Sequence, residues 1–82
     1  MTNPNVVLYH DMPCPYCKRV RDFLESESIQ IPMKDIMADP EYWDELLTIG
    51  GKGQVPCLII DGKPLYESLD IIEWFKTHWH HA

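Results

Sequence analysis

Residues 55–66 are the most regular stretch of the chain, and they admit few structures. Val55 to Ile60 is a continuous apolar run, Asp61-Gly62 is the two-residue sequence that best closes a hairpin, and Lys63 to Tyr66 reads as the return strand. Pro64 has no N–H to give to a ladder, which places that return strand at a sheet edge.

Upstream, Val6-Val7-Leu8-Tyr9 is a short β-branched and apolar run between Asn3-Pro4-Asn5 and Asp11 to Pro13, the pattern of a buried strand. At Pro15 the period changes. Tyr16, Val20, Phe23, Leu24 and Glu27 follow helical spacing, with Lys18, Arg19, Arg21, Asp22 and Glu25 mostly on the other face, so a helix is predicted to about Ser26. Pro15 suits its first turn, where a missing N–H costs nothing. Ile29 to Ile36 alternates loosely and contains Pro32, which predicts a strand with an irregular stretch. Asp39-Pro40 opens a second helix, with Asp39 as N-cap, Trp43, Leu46 and Leu47 as the apolar stripe and Gly50-Gly51 as the stop. A last helix is predicted from Ser68, capped by its hydroxyl and carrying Leu69, Ile72, Phe75 and Trp79 inward. Strand, helix, strand, helix, hairpin, helix predicts an α/β protein: a three-layer α/β/α domain over residues 1–82, with a four-stranded mixed sheet and about three helices.

With 82 residues there is material for one core and one site. The formal charge of −6 argues against a nucleic-acid surface, which needs clustered Lys and Arg. Lys18, Arg19 and Arg21 are the only dense basic cluster, and they directly follow a cysteine pair, so an anionic substrate or nearby carboxylates are their expected partners. No apolar run approaches the roughly 20 residues of a membrane span. Met1 to Asn5 lacks the basic start and apolar stretch of a secretory signal, so cytoplasmic residence is the expectation.

Three cysteines without an export signal do not make a disulfide scaffold, which leaves chemistry, metal binding or burial. Cys14-Pro15-Tyr16-Cys17 lies where the first strand meets the first helix. The free N–H groups and positive dipole end of that helix favour a thiolate at Cys14, and the spacing brings Cys17 within bonding reach, so one sulfur attacks and the other resolves. A zinc half-site would need two more ligands; Cys57, His78, His80 and His81 form no second knuckle, and no metal is expected. Cys57 is expected as a buried structural thiol, Trp43, Trp74 and Trp79 as packing, and Thr77 to Ala82 as a frayed end.

Across nearly its whole length the chain resembles a glutaredoxin, within the thioredoxin-fold superfamily. The likeness rests on Cys14-Pro15-Tyr16-Cys17 after a strand, Val55-Pro56 opening a strand, the Asp61-Gly62 hairpin, and Glu67 to Asp70 opening the last helix. It implies a thioredoxin fold, a cis proline at Pro56 facing the cysteines, and a Val55 backbone free to pair with the cysteinyl part of glutathione, with Tyr16 in the same site. Asp70 meets the family aspartate that holds the γ-glutamyl amine, and Glu67-Ser68 is similar to the corresponding pair in glutathione transferase N-terminal domains. The implied activity is reduction of protein–glutathione mixed disulfides or small disulfides. Cys14 and Cys17 are the implied catalytic residues, glutathione the reducing co-substrate, and no cofactor is permanently bound. The implied partners are glutathione and disulfide-containing or glutathionylated proteins, with neither nucleic acid nor membrane, and a monomer is expected. Two positions depart from the family: Asp11 stands where many members carry lysine, and Gly53 where they carry a basic residue. Three other readings use the same residues. They are a thioredoxin-like electron donor fed by a flavin reductase, a glutathione transferase-like module, whose enzymes carry a further helical domain, and a carrier of an iron–sulfur cluster.

Overall fold

A computed structural model describes residues 3–81; Met1, Thr2 and Ala82, which belong to the N-terminal and histidine-rich stretches read above, lie outside the described residues. The elements are β1 (Val6–His10), α1 (Pro15–Ser26), β2 (Met33–Asp35), α2 (Pro40–Gly50), β3 (Cys57–Ile60), β4 (Lys63–Tyr66) and α3 (Ser68–His78). They form a four-stranded sheet in the order β2-β1-β3-β4. β2 runs parallel to β1, while β3 is antiparallel to both β1 and β4.

Register divides the core between the two faces of this sheet. Leu8 lies opposite Leu58 and Tyr9 opposite Cys57, so successive side chains point to opposite faces. Val6, Leu8 and Leu58 pack with Val20 and Leu24 of α1 and with Ile71 and Phe75 of α3. Tyr9, Cys57 and Ile59 pack with Leu46 of α2 on the other side. Helices therefore cover both faces, with α1 and α3 on one and α2 on the other.

Local stereochemistry sets several boundaries where the sequence places them. The Asp39 carboxylate accepts the Glu41 N–H at 2.9 Å at the start of α2, and Gly51 ends that helix at φ 83, its N–H bonded to the Leu47 carbonyl at 3.1 Å. Asp61 and Gly62 both have positive φ, 48 and 84, as a type I′ turn requires. Pro64 lies on β4, an outer strand of the sheet.

Other boundaries differ from expectation. β1 extends one residue further, to His10. The second strand is Met33–Asp35 rather than 29–36, because the Ile29 N–H closes onto the Leu24 carbonyl at the end of α1. β3 begins at Cys57 rather than Val55, since Pro56 has no N–H for the ladder. Ser68 is the first residue of α3, not its cap; Glu67 holds the N-cap position, without a side-chain cap bond.

The inward faces are also shifted in phase. On α3, Ser68, Ile71 and Phe75 are buried while Leu69 is 65% exposed. On α1, Cys17, Val20 and Leu24 point inward and Tyr16 is 58% exposed. Leu46 is buried on α2, with Trp43 and Leu47 partly exposed. Spacing sets the period of an apolar stripe, but the seating of the helix on the sheet selects which residues meet the core. The C-terminal stretch is tied down as far as it is described: Asn3 donates to the His80 carbonyl and accepts the His80 N–H, both at 2.7 Å.

Candidate active site

β1 ends at His10 and α1 begins at Pro15, and the short connection carries Cys14 at the N-cap of the helix. Cys14 is half-buried, and its Sγ accepts the Cys17 N–H at 3.4 Å. Its own N–H bonds the Asp11 carbonyl at 3.2 Å, and its carbonyl accepts the Lys18 N–H at 3.0 Å. Cys17, one turn later, has 0% exposure. Burial pushes its thiol up to about 12, so the inner sulfur holds its proton at neutral pH. The two cysteines are thus unequal, the outer one accessible and supported by a backbone donor, the inner one buried and protonated.

The basic cluster after Cys17 splits three ways. Lys18 pairs with Asp22 at 2.6 Å on the exposed face of α1. Arg19 lies over the Tyr16 ring, 5.5 Å from its centroid, and donates to Ser68 Oγ at 3.4 Å. Arg21 turns back toward the β1–α1 connection. Its Nη1 donates to His10 Nδ1 at 3.1 Å and to the Asp11 carbonyl at 3.3 Å, and its Nη2 to the Met12 carbonyl at 3.2 Å. His10 is buried, and burial, then the Arg21 charge, hold its imidazole below the usual value; since a guanidinium has only donors, Nδ1 of the neutral ring is the acceptor.

Beside the helix start lies a cleft of about 370 Å³ lined by Tyr16, Gln54, Val55, Pro56, Glu67 and Ser68. Residues expected at a glutathione site from widely separated parts of the sequence share these walls. The Val55–Pro56 peptide bond is cis. Asp70 is outside the walls, exposed in the first turn of α3. Gln54 was not anticipated; its Nε2 donates to Glu67 Oε1 at 3.2 Å, linking the segment before Val55 to the start of α3. A larger cavity of about 470 Å³ opens between α1 and residues 28–33, and its walls include neither Cys14 nor Cys17.

Position 53 has a structural reason to be glycine, because a Cβ there would run into the Trp43 ring. Cys57 is fully buried on the α2 face of the sheet, across from the α1 face that holds Cys17, and burial raises its thiol. Among the described residues no three His, Cys, Asp or Glu side chains gather as a metal site would require, and no helix is long and apolar enough to cross a membrane.

A model of the glutathione S-transferase N-terminal domain family matches residues 8–79. The chain belongs to that family. This glutathione S-transferase N-terminal domain is 34% identical to glutathione transferase Omega 3C from Trametes versicolor, with a TM-score of 0.75 over 92% of this chain and 34% of that one. Against a glutathione S-transferase from Methylobacillus flagellatus solved with glutathione bound, the identity is 29% and the TM-score 0.73, over 89% of this chain and 36% of that one. A glutaredoxin-like 8.6 kDa protein in the rubredoxin operon of Clostridium pasteurianum is 26% identical over 57 residues, 70% of this chain and 76% of the relative. The domain therefore spans about a third of the transferases and most of the glutaredoxin-like relative. Glutaredoxin C1 from Populus tremula x tremuloides, at 22% identity and a TM-score of 0.69 over 93% of this chain and 78% of that one, shares the fold. The fold is the thioredoxin fold, as the sequence resemblance implies.

Proposed function

We propose that this domain is a glutathione-dependent thiol–disulfide oxidoreductase acting on protein–glutathione mixed disulfides and small disulfides. One observation carries the reading: a half-exposed Cys14 whose Sγ accepts the Cys17 N–H, above a fully buried Cys17. The Cys14 thiolate attacks one sulfur of the substrate disulfide, joins it as a mixed disulfide and expels the other half as a thiolate. With a glutathionylated protein, Cys14 takes the glutathione and the protein thiol leaves. A second glutathione thiolate then attacks the bound glutathione sulfur, giving oxidised glutathione and restoring Cys14.

With a protein disulfide, Cys17 loses its proton and attacks Cys14 Sγ. This releases the substrate thiol and leaves a Cys14–Cys17 disulfide for two glutathione molecules to reduce. Each route moves two electrons from glutathione to substrate. The cleft walled by Tyr16, Val55, Pro56, Glu67 and Ser68 supports glutathione as the reductant, since the start of α3 offers backbone donors to a carboxylate and Glu67 offers an acceptor to an ammonium. A transferase relative solved with glutathione bound points the same way.

The test is a pair of coupled assays on the intact chain, one driven by glutathione and glutathione reductase on a small glutathione mixed disulfide, the other by a flavin thioredoxin reductase on a protein disulfide. Turnover in the first is expected. Turnover confined to the second would make the domain a thioredoxin-like donor instead.

A further inference from the structure

The contacts of Arg21 are not used by the exchange chemistry itself. This side chain stands four residues after Cys17 on α1, and its guanidinium reaches His10 Nδ1, the Asp11 carbonyl and the Met12 carbonyl at 3.1, 3.3 and 3.2 Å. The Asp11 carbonyl also receives the Cys14 N–H at 3.2 Å. We propose that Arg21 is a positioning residue for the nucleophile: it clamps residues 11–13 so that Cys14 is held at the start of α1, and it requires neutral His10 as an anchor. The inference rests on the reading of Cys14 as the attacking thiol.

Three acceptors on one side chain suit a guanidinium, whose planar fork presents several fixed donors, and not an ammonium on a flexible stem. The clamp closes on backbone carbonyls, so it fixes the path of the connection. Asp11 Oδ1 is buried without a hydrogen-bond partner among the described residues, so the tie to α1 runs through the Asp11 carbonyl and not its carboxylate.

His10 completes the clamp only while Nδ1 is unprotonated, because a charged imidazole would turn an N–H toward the guanidinium. The charged groups that act on it come from three elements: Arg21 on α1, Asp11 on the connection and Asp35 on β2. The two carboxylates favour the charged ring, burial and Arg21 oppose it, and the balance favours the neutral form. The anchor is therefore present at neutral pH and is lost as pH falls below the ordinary histidine value of 6.5 and through the lowered one.

The experiment measures the rate of Cys14 alkylation by iodoacetamide, mapped by mass spectrometry, alongside circular dichroism and melting temperature. Arg21→Gln is expected to slow Cys14 about tenfold with the secondary structure kept, and Arg21→Lys to fail to restore it. His10→Asn offers a carboxamide oxygen in place of Nδ1 and should react near the wild-type rate at about pH 7.5. The ratio of wild type to His10→Asn should then fall below one as pH is lowered through the His10 transition, which lies below 6.5 and is followed by NMR of the imidazole, the ionisation of Cys14 being common to both proteins. Wild-type reactivity in Arg21→Gln, even with a lowered melting temperature, would make Arg21 merely structural and overturn the proposal, as would a ratio flat with pH. If Arg21→Gln does not fold, the lysine variant and the His10→Asn ratio decide it. Iodoacetamide is not glutathione, so a protein that fails the glutathione assay yet shows these effects would overturn the proposed function and leave the clamp standing.

Discussion

Two sulfurs one helical turn apart differ in burial and hydrogen bonding, and the proposed exchange chemistry turns on that difference. Cys14 is half-buried and hydrogen-bonded through Sγ, while Cys17 is sealed and keeps its proton to about 12. Removal of glutathione from a protein consumes only the outer sulfur and a second glutathione, whereas reduction of a protein disulfide by the dithiol route needs Cys17 to release the intermediate. Cys17→Ser should therefore keep much of the first activity and lose most of the second. Equal loss of both, in a variant shown to be folded, would favour a dithiol donor. The pair was readable from sequence because Cys14 and Cys17 are neighbours along the chain. Gln54 was not, because its bond to Glu67 spans 13 positions and depends on how the segment before β3 meets α3. Arg21 carried no such signal: helical spacing puts it on the polar face, and only the phase that turns Cys17 inward, set by packing, aims Arg21 at the connection before α1.

At the scale of elements, the helices divide the labour. α1 carries the thiols and its Arg21 reaches the connection before them, while α3 begins at the cleft with Ser68. α2 packs on the opposite face of the sheet and supports the site only indirectly, through Trp43 over Gly53, next to Gln54. Its N-cap can therefore be altered without touching the thiols. Asp39→Ala removes the acceptor for the Glu41 N–H and should cost about 1 kcal/mol of unfolding free energy. Urea denaturation would read the loss, and the alkylation rate of Cys14 should stay at the wild-type value. A change in that rate would mean that α2 is coupled to the thiol loop more tightly than its packing suggests.

Across the whole molecule, the buried weak acids act in one direction with pH. Burial raises Cys17, Cys57, Tyr9 and Tyr66 above their ordinary values, 9.0 for the thiols and 10.0 for the phenols. The unfolded chain releases these protons first as pH rises, so the stability they confer is full below about pH 9 and is lost progressively above it. Under reducing conditions the melting temperature should fall between about pH 9 and about pH 11, and Cys57→Val should flatten part of that fall. A melting temperature constant over that interval would refute it. Cys57 contributes from the far side of the sheet, away from Cys14 and Cys17, as its pairing with Tyr9 and its packing against Leu46 require.

By itself the sequence determined what is local: the Asp61-Gly62 turn, the Asp39 and Gly51 ends of α2, the start of α1 at Pro15 and the placing of Cys14 at that start. These depend on backbone stereochemistry and on bonds spanning a few residues, which neighbouring amino acids set. The order of elements followed as well, because each connection is short and the hairpin leaves Pro64 on an outer strand. Tertiary structure alone decided the phase of each helix, turning Leu69 and Tyr16 outward and Ile71 and Cys17 inward, since phase is chosen by the surface a helix packs on and not by its own period. It also decided that Arg21 bonds the backbone before Cys14, that Gln54 meets Glu67, and that the Trp43 ring lies where a side chain at position 53 would begin. Each of those contacts joins different parts of the fold, and only packing of the elements on the sheet sets the distance between them.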